Sequence, residues 1–342
     1  MKVKIKDIAV AAGVSPSAVS QVLNDRPCRL SDATKEKILR VAREMKFQNQ
    51  KFISTDGVGR MKTIGLILPE QAPFFLDLSY KISRELYQKG YTVFQCAVGD
   101  DLDCCYKALE SLTCKNVDGI IVIPPCTGKK DLKLSKMLKA LQNSGVPMIL
   151  ADRAVYSVFC DFVTADNKMG GKIATEYLLQ CGHSKIGCIM GKKDVYTVRK
   201  RLDGYKQALV LHNVPYDEKL VYYGEFAKNT GTSGTKELIA KGVTAIFAGN
   251  DEIAVGVYEY AKTMHIKIPE ELSVIGFDNT KICDILNPPL TSVEQNTDQL
   301  AEKIAEVMLS DIEKTENEDA PSNYYYTPIL KERNSVRKGD PV

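Results

Sequence analysis

The sequence predicts a small all-α helix-turn-helix domain followed by a two-lobed α/β body with parallel, doubly wound sheets. Three observations carry that expectation. The chain has 342 residues, more than one hydrophobic core normally spans. Its charge is unevenly placed: residues 1–60 hold twelve Lys and Arg against six Asp and Glu, whereas the rest holds 34 against 37. From Thr63 onward, apolar strand-like runs alternate with amphipathic helices, and the alternation occurs twice. A basic head on a slightly acidic body points to a polyanionic partner for the head.

Composition removes several alternatives. With 44% hydrophobic and 26% charged residues and no low-complexity block, wholesale disorder is excluded. No apolar stretch approaches the ~20 residues of a membrane span, so no membrane partner is expected. Met1-Lys2-Val3-Lys4-Ile5-Lys6-Asp7 lacks the apolar core of a signal peptide, and a cytoplasmic protein is expected. The ten cysteines are scattered, with one vicinal pair (Cys104, Cys105) and no CxxC, and read as structural thiols. His183, His212 and His265 form no ligand spacing, so no metal is expected.

In the head, Lys6 to Val14 reads as a short helix with Ile8, Ala9 and Ala12 on one face, ended by Gly13. Ser15 has an N-cap side chain and Pro16 suits a first helical position, so a second helix starts there. Val19, Val22 and Leu23 supply its apolar stripe. A third helix from Ser31 turns Ile38, Val41, Ala42 and Met45 inward. Helix, tight turn, helix and packing helix make a helix-turn-helix domain over residues 1–47.

The residues Ile8-Ala9, Ala12-Gly13-Val14-Ser15, Val19-Ser20 and Val22-Leu23-Asn24 resemble the head of LacI/GalR transcriptional regulators, D-[VI]-A-x-x-A-G-V-S-x-x-T-V-S-R-V-L-N. The resemblance implies that the second helix enters the major groove of double-stranded operator DNA. Pro16, Ser17 and Gln21 then occupy base-reading positions, with Ser15, Ser20 and Asn24 near phosphates. Ala18 stands where the family has Thr, and Gln21 where it commonly has Arg. Arg pairs with guanine whereas Gln suits adenine, so a different operator base is expected opposite Gln21.

Residues 48–62 fall where the family has a hinge helix that wedges a leucine into the minor groove. Here Asp56 takes the leucine position, Asn49 replaces the usual proline, and Gly57 and Gly59 weaken a helix. Either Phe52 or Ile53 takes over the wedge, or this protein bends DNA little.

In the body, strand runs are Thr63–Pro69, Tyr91–Ala97, Gly119–Ile123 and Met148–Ala151, echoed by Lys185–Gly191, Gly242–Ala248 and Leu272–Asp278. Such continuous apolar runs between helices indicate parallel sheets covered on both faces. The expected effector-binding and dimerisation domain is 63–335, with an N-lobe of about 63–161 plus 292–322. The C-lobe is then about 162–291 plus 323–335. Two lobes imply a cleft at the strand C-terminal ends, as in the periplasmic-binding-protein-like body of the same family.

No P-loop, no GxGxxG after a strand and no GxSxG elbow occurs, so neither an enzyme nor a bound cofactor is expected. Polar residues gather at strand ends instead: Asp152, Asn250 and Asp278, with Arg201 early in a helix. The resemblance implies that Arg201, Asn250 and Asp278 hydrogen-bond the effector, with Asp152 and Gln295 close by. Carboxylates, Asn and Arg suit vicinal hydroxyls, and Phe74 or Phe75, with Phe226, can stack on the apolar face of a sugar.

Together these features imply a repressor that binds a palindrome as a homodimer under control of a small-molecule effector, a sugar or sugar derivative. Two relatives in function remain open at this stage, a global regulator with a protein corepressor and a transport-type sugar-binding protein. The basic head and missing signal peptide weigh against the second. With no heptad tail after Arg333, a dimer is expected rather than a tetramer.

Overall fold

The computed structural model describes residues 5–23, 30–31, 34–35, 37–38, 40–41, 61–69, 72–126, 132–143, 145–155, 158–313 and 320–338. Two units emerge, residues 1–61 and 62–342.

In the first unit, helices Ile5–Ala12 and Pro16–Leu23 flank a turn at Gly13, whose φ of 68° is left-handed backbone that glycine adopts without a Cβ clash. The Ser15 hydroxyl accepts the Ala18 N–H at 3.1 Å, the N-cap bond its sequence position predicts. Ile8, Ala9, Ala12, Val19 and Ile38 form the buried core, with Val14, Val22, Leu30 and Val41 packed against it. Of the third-helix expectations, Ala42 and Met45 lie outside the described residues.

The second unit holds two six-stranded sheets. The N-lobe sheet contains β1 (Thr63–Leu68), β2 (Thr92–Ala97), β3 (Gly119–Val122), β4 (Met148–Ala151), β5 (Phe162–Ala165) and β11 (Asn323–Tyr326). Its order is β11-β5-β4-β3-β1-β2, parallel throughout. The C-lobe sheet contains β6 (Ile186–Met190), β7 (Val221–Tyr223), β8 (Ala245–Ala248), β9 (Ser273–Asp278), β10 (Thr291–Glu294) and β12 (Ile329–Lys331). Its order is β12-β10-β9-β8-β6-β7, with only the β10–β12 edge antiparallel.

Helices cover both faces of each sheet, which is why β1, β3, β4 and β6 read as unbroken apolar runs. On the N-lobe, helix Pro73–Gln88 buries Phe74, Phe75, Leu78, Ile82 and Leu86, and helix Thr297–Glu313 adds Leu300, Ile304 and Met308 to the same core. Helices Leu102–Cys114 and Leu132–Asn143 cover the opposite face with Cys105, Leu109, Leu112, Leu134, Leu138 and Leu141. The free Cys105 thiol sits within that core, where burial pushes its pKa up to about 11, in keeping with a structural thiol.

The chain crosses between lobes at residues 165–167, 294–297 and 326–329. The expected lobe limits therefore need correction. Residues 162–165 and 323–326 belong to the N-lobe sheet, and 291–294 to the C-lobe sheet. The crossings come after β5, β10 and β11 rather than before them, because each of these strands completes its ladder in one sheet before the chain leaves. The N-lobe thus comprises the described residues of 63–165 with those of 297–326, and the C-lobe 167–294 with 329–335.

Within the C-lobe, helices Asn167–Gln180 and Tyr196–Leu211 touch backbone to backbone. A Cβ on Gly171 would lie 2.1 Å from the Arg201 carbonyl oxygen, and one on Gly204 2.0 Å from that of Lys168. Gly231 and Gly256 make the same kind of contact between helices Lys228–Ile239 and Asp251–Thr263. The clashing atoms are backbone, so relief requires the helices to part. Gly204→Ala is expected to destabilise the protein by about 1–3 kcal/mol, read as a lowered urea midpoint with the slope unchanged.

Candidate functional site

The cleft lies between the C-terminal ends of the two sheets. Its cavity, about 30 Å³, is lined by Ala72, Phe74, Phe75, Asp152 and Arg153 from the N-lobe and Thr197, Arg201, Phe226, Asn250 and Asp278 from the C-lobe. Seven of the eight residues expected at an effector site are thus brought together. The eighth, Gln295, stands directly behind, donating from Nε2 to Asp278 Oδ1 at 2.6 Å. Both Phe74 and Phe75 reach the cavity, edge to face at 5.2 Å, and both also belong to the N-lobe core.

Arg201 is buried, with only 4% of its surface exposed. It arises from the second turn of helix Tyr196–Leu211, and its guanidinium lies 3.7 Å over the Phe277 ring. Nε donates to Asn167 Oδ1 at 2.8 Å, Nη1 to the Gly249 carbonyl at 2.5 Å, and Nη2 lies 3.6 Å from Asp278 Oδ1. Asn167 in turn donates to the Ala165 carbonyl at 3.0 Å, so Arg201 is wired to the first inter-lobe crossing.

Asp152 and Asp278 occupy matching places at the ends of β4 and β9, and both have positive φ, 60° and 103°. The Arg153 N–H closes a three-residue turn onto the Ala151 carbonyl at 2.6 Å, around Asp152. Such backbone costs a β-carbon residue roughly 1–3 kcal/mol and is held only where surrounding contacts enforce it. For the Asp278 loop the enforcing group is Asp251. Its carboxylate accepts from Thr280 N at 2.7 Å, Thr280 Oγ1 at 2.9 Å and Ser292 Oγ at 2.7 Å. Asn250 caps helix Asp251–Thr263 through Oδ1, which accepts from Ile253 N at 2.9 Å, so its NH2 is the end offered to the cleft.

Three lining residues escaped the sequence reading. Ala72 carries no chemical signal. Thr197 lies one turn before Arg201 on the same helix face, a placement that helical spacing could have disclosed. Arg153 is the larger omission, although it immediately follows Asp152 at a strand end. Its guanidinium lies 5.0 Å from the Phe75 ring and 5.8 Å from Phe226, bridging aromatics of the two lobes, and Nη1 donates to the Pro124 carbonyl at 3.1 Å. A second inter-lobe tie runs from Lys192 to Asp100 of the N-lobe and Glu225 of the C-lobe, both at 3.1 Å. A cavity of this size has room for water but not for a sugar ring, so entry requires the lobes to part or Arg153 to swing aside.

In the head, Ser15, Pro16 and Ser17 are exposed at the start of the second helix, and Ser20 and Gln21 are half-buried along it. Asn24, Phe52, Ile53 and Asp56 lie outside the described residues.

The comparisons with known proteins agree with this architecture. Residues 61–331 match the family described as periplasmic binding proteins and sugar binding domain of the LacI family, and residues 4–50 match bacterial regulatory proteins of the lacI family. The chain belongs to the LacI family of bacterial transcriptional regulators. It is 30% identical over 336 residues to the ribose operon repressor of Escherichia coli K12, covering 97% of this chain and 99% of that protein. A LacI family regulator from Enterococcus faecium with bound ribose superposes with a TM-score of 0.72 at 29% identity, over 81% of this chain and 100% of that one. The CelR–cellobiose complex gives 0.72 at 27% identity, over 98% and 100%.

Burial raises the pKa of Asp278 to about 8, against the pull of Arg201 and with the nearby charge of Asp251 adding to the rise. Asp152 and Asp251 are raised by burial as well. A carboxyl that binds its proton more tightly folded than unfolded makes stability fall as pH rises from its unfolded value, near 4, to its folded value. The urea midpoint is expected to decline between about pH 4 and 8, and Asp278→Asn to flatten the upper part of that decline.

Proposed function

We propose that the chain is a repressor that binds a palindromic operator as a homodimer, with affinity set by a sugar bound between the lobes. The observation that carries the effector half is convergence. Arg201, Asn250 and Asp278 come from three separate C-lobe segments, yet they meet Asp152 and Arg153 of the N-lobe around one aromatic-lined cavity. Fixed donors, carboxylate acceptors and flanking rings are the combination that holds a polyol by its hydroxyls and its apolar face. The bound ribose and cellobiose of the two structural relatives support the same assignment.

The homodimer is supported by an unpartnered apolar face on the N-lobe. Leu76, Tyr80 and Tyr87 stand exposed along helix Pro73–Gln88, and Phe94 on the neighbouring edge strand β2 extends the patch. A two-fold pairing of such faces suits a palindrome, and the cytoplasm is where such a protein meets its DNA. A sugar that binds one lobe arrangement better than another shifts the population between them, and operator and sugar then alter each other's affinity by the same factor.

The test is fluorescence anisotropy of the full-length protein on duplexes tiling its own upstream DNA, at fixed salt and with scrambled DNA as control. Tight binding to one palindromic tile, changed by a sugar, is the expected result; equal weak binding to every tile rejects it. Asp152→Asn is expected to weaken the sugar's effect at least about tenfold, since it replaces a carboxyl oxygen with an amide donor in a buried site where an unmatched polar group is costly. Gln21→Arg is expected to move the preferred base at its contact from adenine toward guanine, a change worth about 1–3 kcal/mol that selection from random duplexes would reveal.

A further inference from the structure

The two edges of the paired sheets differ in what joins the lobes. The crossings follow β5, β10 and β11, all at one edge, where β11 and β5 end the N-lobe sheet and β12 and β10 end the C-lobe sheet. At the other edge lie β2 in the N-lobe and β6 and β7 in the C-lobe, so any rotation about the crossings opens the lobes widest there.

That edge carries an ion triad. Asp100 stands three residues after β2, Lys192 two after β6 and Glu225 two after β7. Lys192 Nζ reaches Asp100 Oδ2 across the cleft and Glu225 Oε2 on its own lobe, each at 3.1 Å. Asp100 is held in position by the Cys126 N–H, which donates to its Oδ1 at 2.7 Å. Partial burial works against the charge of Asp100, yet the Cys126 and Lys192 bonds prevail and hold its pKa below the ordinary value. Glu225 adjoins Phe226, whose ring centre lies 5.8 Å from the Arg153 guanidinium of the N-lobe.

An exposed ion pair by itself stabilises little. Position changes its weight here. Strand β2 lies four strand spacings from β5, roughly 19 Å, so the triad resists rotation about the crossings with a long arm. An opening of about 10° moves this edge by about 3 Å, enough to break the bond to Asp100. The same motion uncovers Cys126, an N-lobe residue beyond β3 whose side chain packs against the C-lobe core.

We propose that Lys192 is an ionic clasp that holds the lobes together at the edge opposite their connections, and that ionic strength governs how often it lets them part. The clasp acts on the lobes whatever the cleft binds.

Alkylation of the full-length protein by iodoacetamide, followed at each cysteine by peptide mass spectrometry, reads lobe parting through Cys126. When opening is fast against alkylation, the rate follows the open population. Exposed Cys114 reports the reagent, and Cys188, fully buried in the C-lobe core, reports unfolding. At about 50 mM salt, Lys192→Gln is expected to speed Cys126 at least about threefold, with Cys114 and Cys188 unchanged. Asp100→Asn keeps an oxygen for the Cys126 N–H and is expected to do the same, and the double variant no more than either alone. At about 500 mM salt the wild-type rate is expected to rise to that of the variants, whose own rates stay put. An unchanged Cys126 rate in Lys192→Gln, a wild-type rate indifferent to salt, or additive effects in the double variant overturns the clasp. So does a rise at Cys188 in step with Cys126, which marks loss of the fold rather than parting of the lobes.

Discussion

The cleft depends first on a charge placed where charge is expensive. Stripping water from the Arg201 guanidinium costs several kcal/mol, and burial accordingly lowers its pKa against the pull of Asp278 and Asp152. The cost is offset only because every direction around the group is filled: Phe277 beneath, Asn167 and Gly249 at two corners, Asp278 at a third. Removing a single partner from such an arrangement typically costs about 3–5 kcal/mol, more than the pair gained by forming. The arrangement therefore works as a lock on geometry rather than as a source of net stability. It holds the end of β8, the Asp278 loop and the first inter-lobe crossing in one register.

That register explains why the cleft side chains and the connections between lobes cannot be separated. Asn167 lies at the first crossing and bonds both Arg201 and the end of β5. Gln295 lies at the second crossing and bonds Asp278. A ligand that engages Arg201 or Asp278 thus pulls on side chains anchored in the segments about which the lobes turn. The strained backbone at Asp152 and Asp278 fits the same scheme, because each lobe turns its chain sharply at a strand end to aim a carboxylate at the other lobe.

The sequence disclosed most of this, and its failures have identifiable causes. The long apolar runs of β1, β3, β4, β6, β8 and β9 were plain because burial on both faces leaves no polar interruption. The short strands β5, β10 and β11 were not, since Phe-Val-Thr-Ala, Thr-Ser-Val-Glu and Asn-Tyr-Tyr-Tyr are interrupted by polar side chains, and the lobe limits slipped by those few residues. At the cleft, side chains at strand ends were legible from position and chemistry. Arg153 was overlooked because an arginine after an aspartate reads as a solvated surface pair; only three-dimensional placement puts its guanidinium between rings from two lobes. Gln295 was found through family resemblance, and its location at a crossing had no signature of its own.

The glycine contacts between the C-lobe helices reach beyond packing. With Gly171 against Gly204 and Gly231 against Gly256, neighbouring helices meet through peptide backbone, and no long side chain stands between them to change rotamer and absorb a displacement. Force applied at Asn250 or Arg201 is not dissipated inside the C-lobe. It acts on a stiff lever joined to the other lobe by three connections of a few residues, so that small displacements at the cleft are transmitted as rotation rather than lost as local deformation.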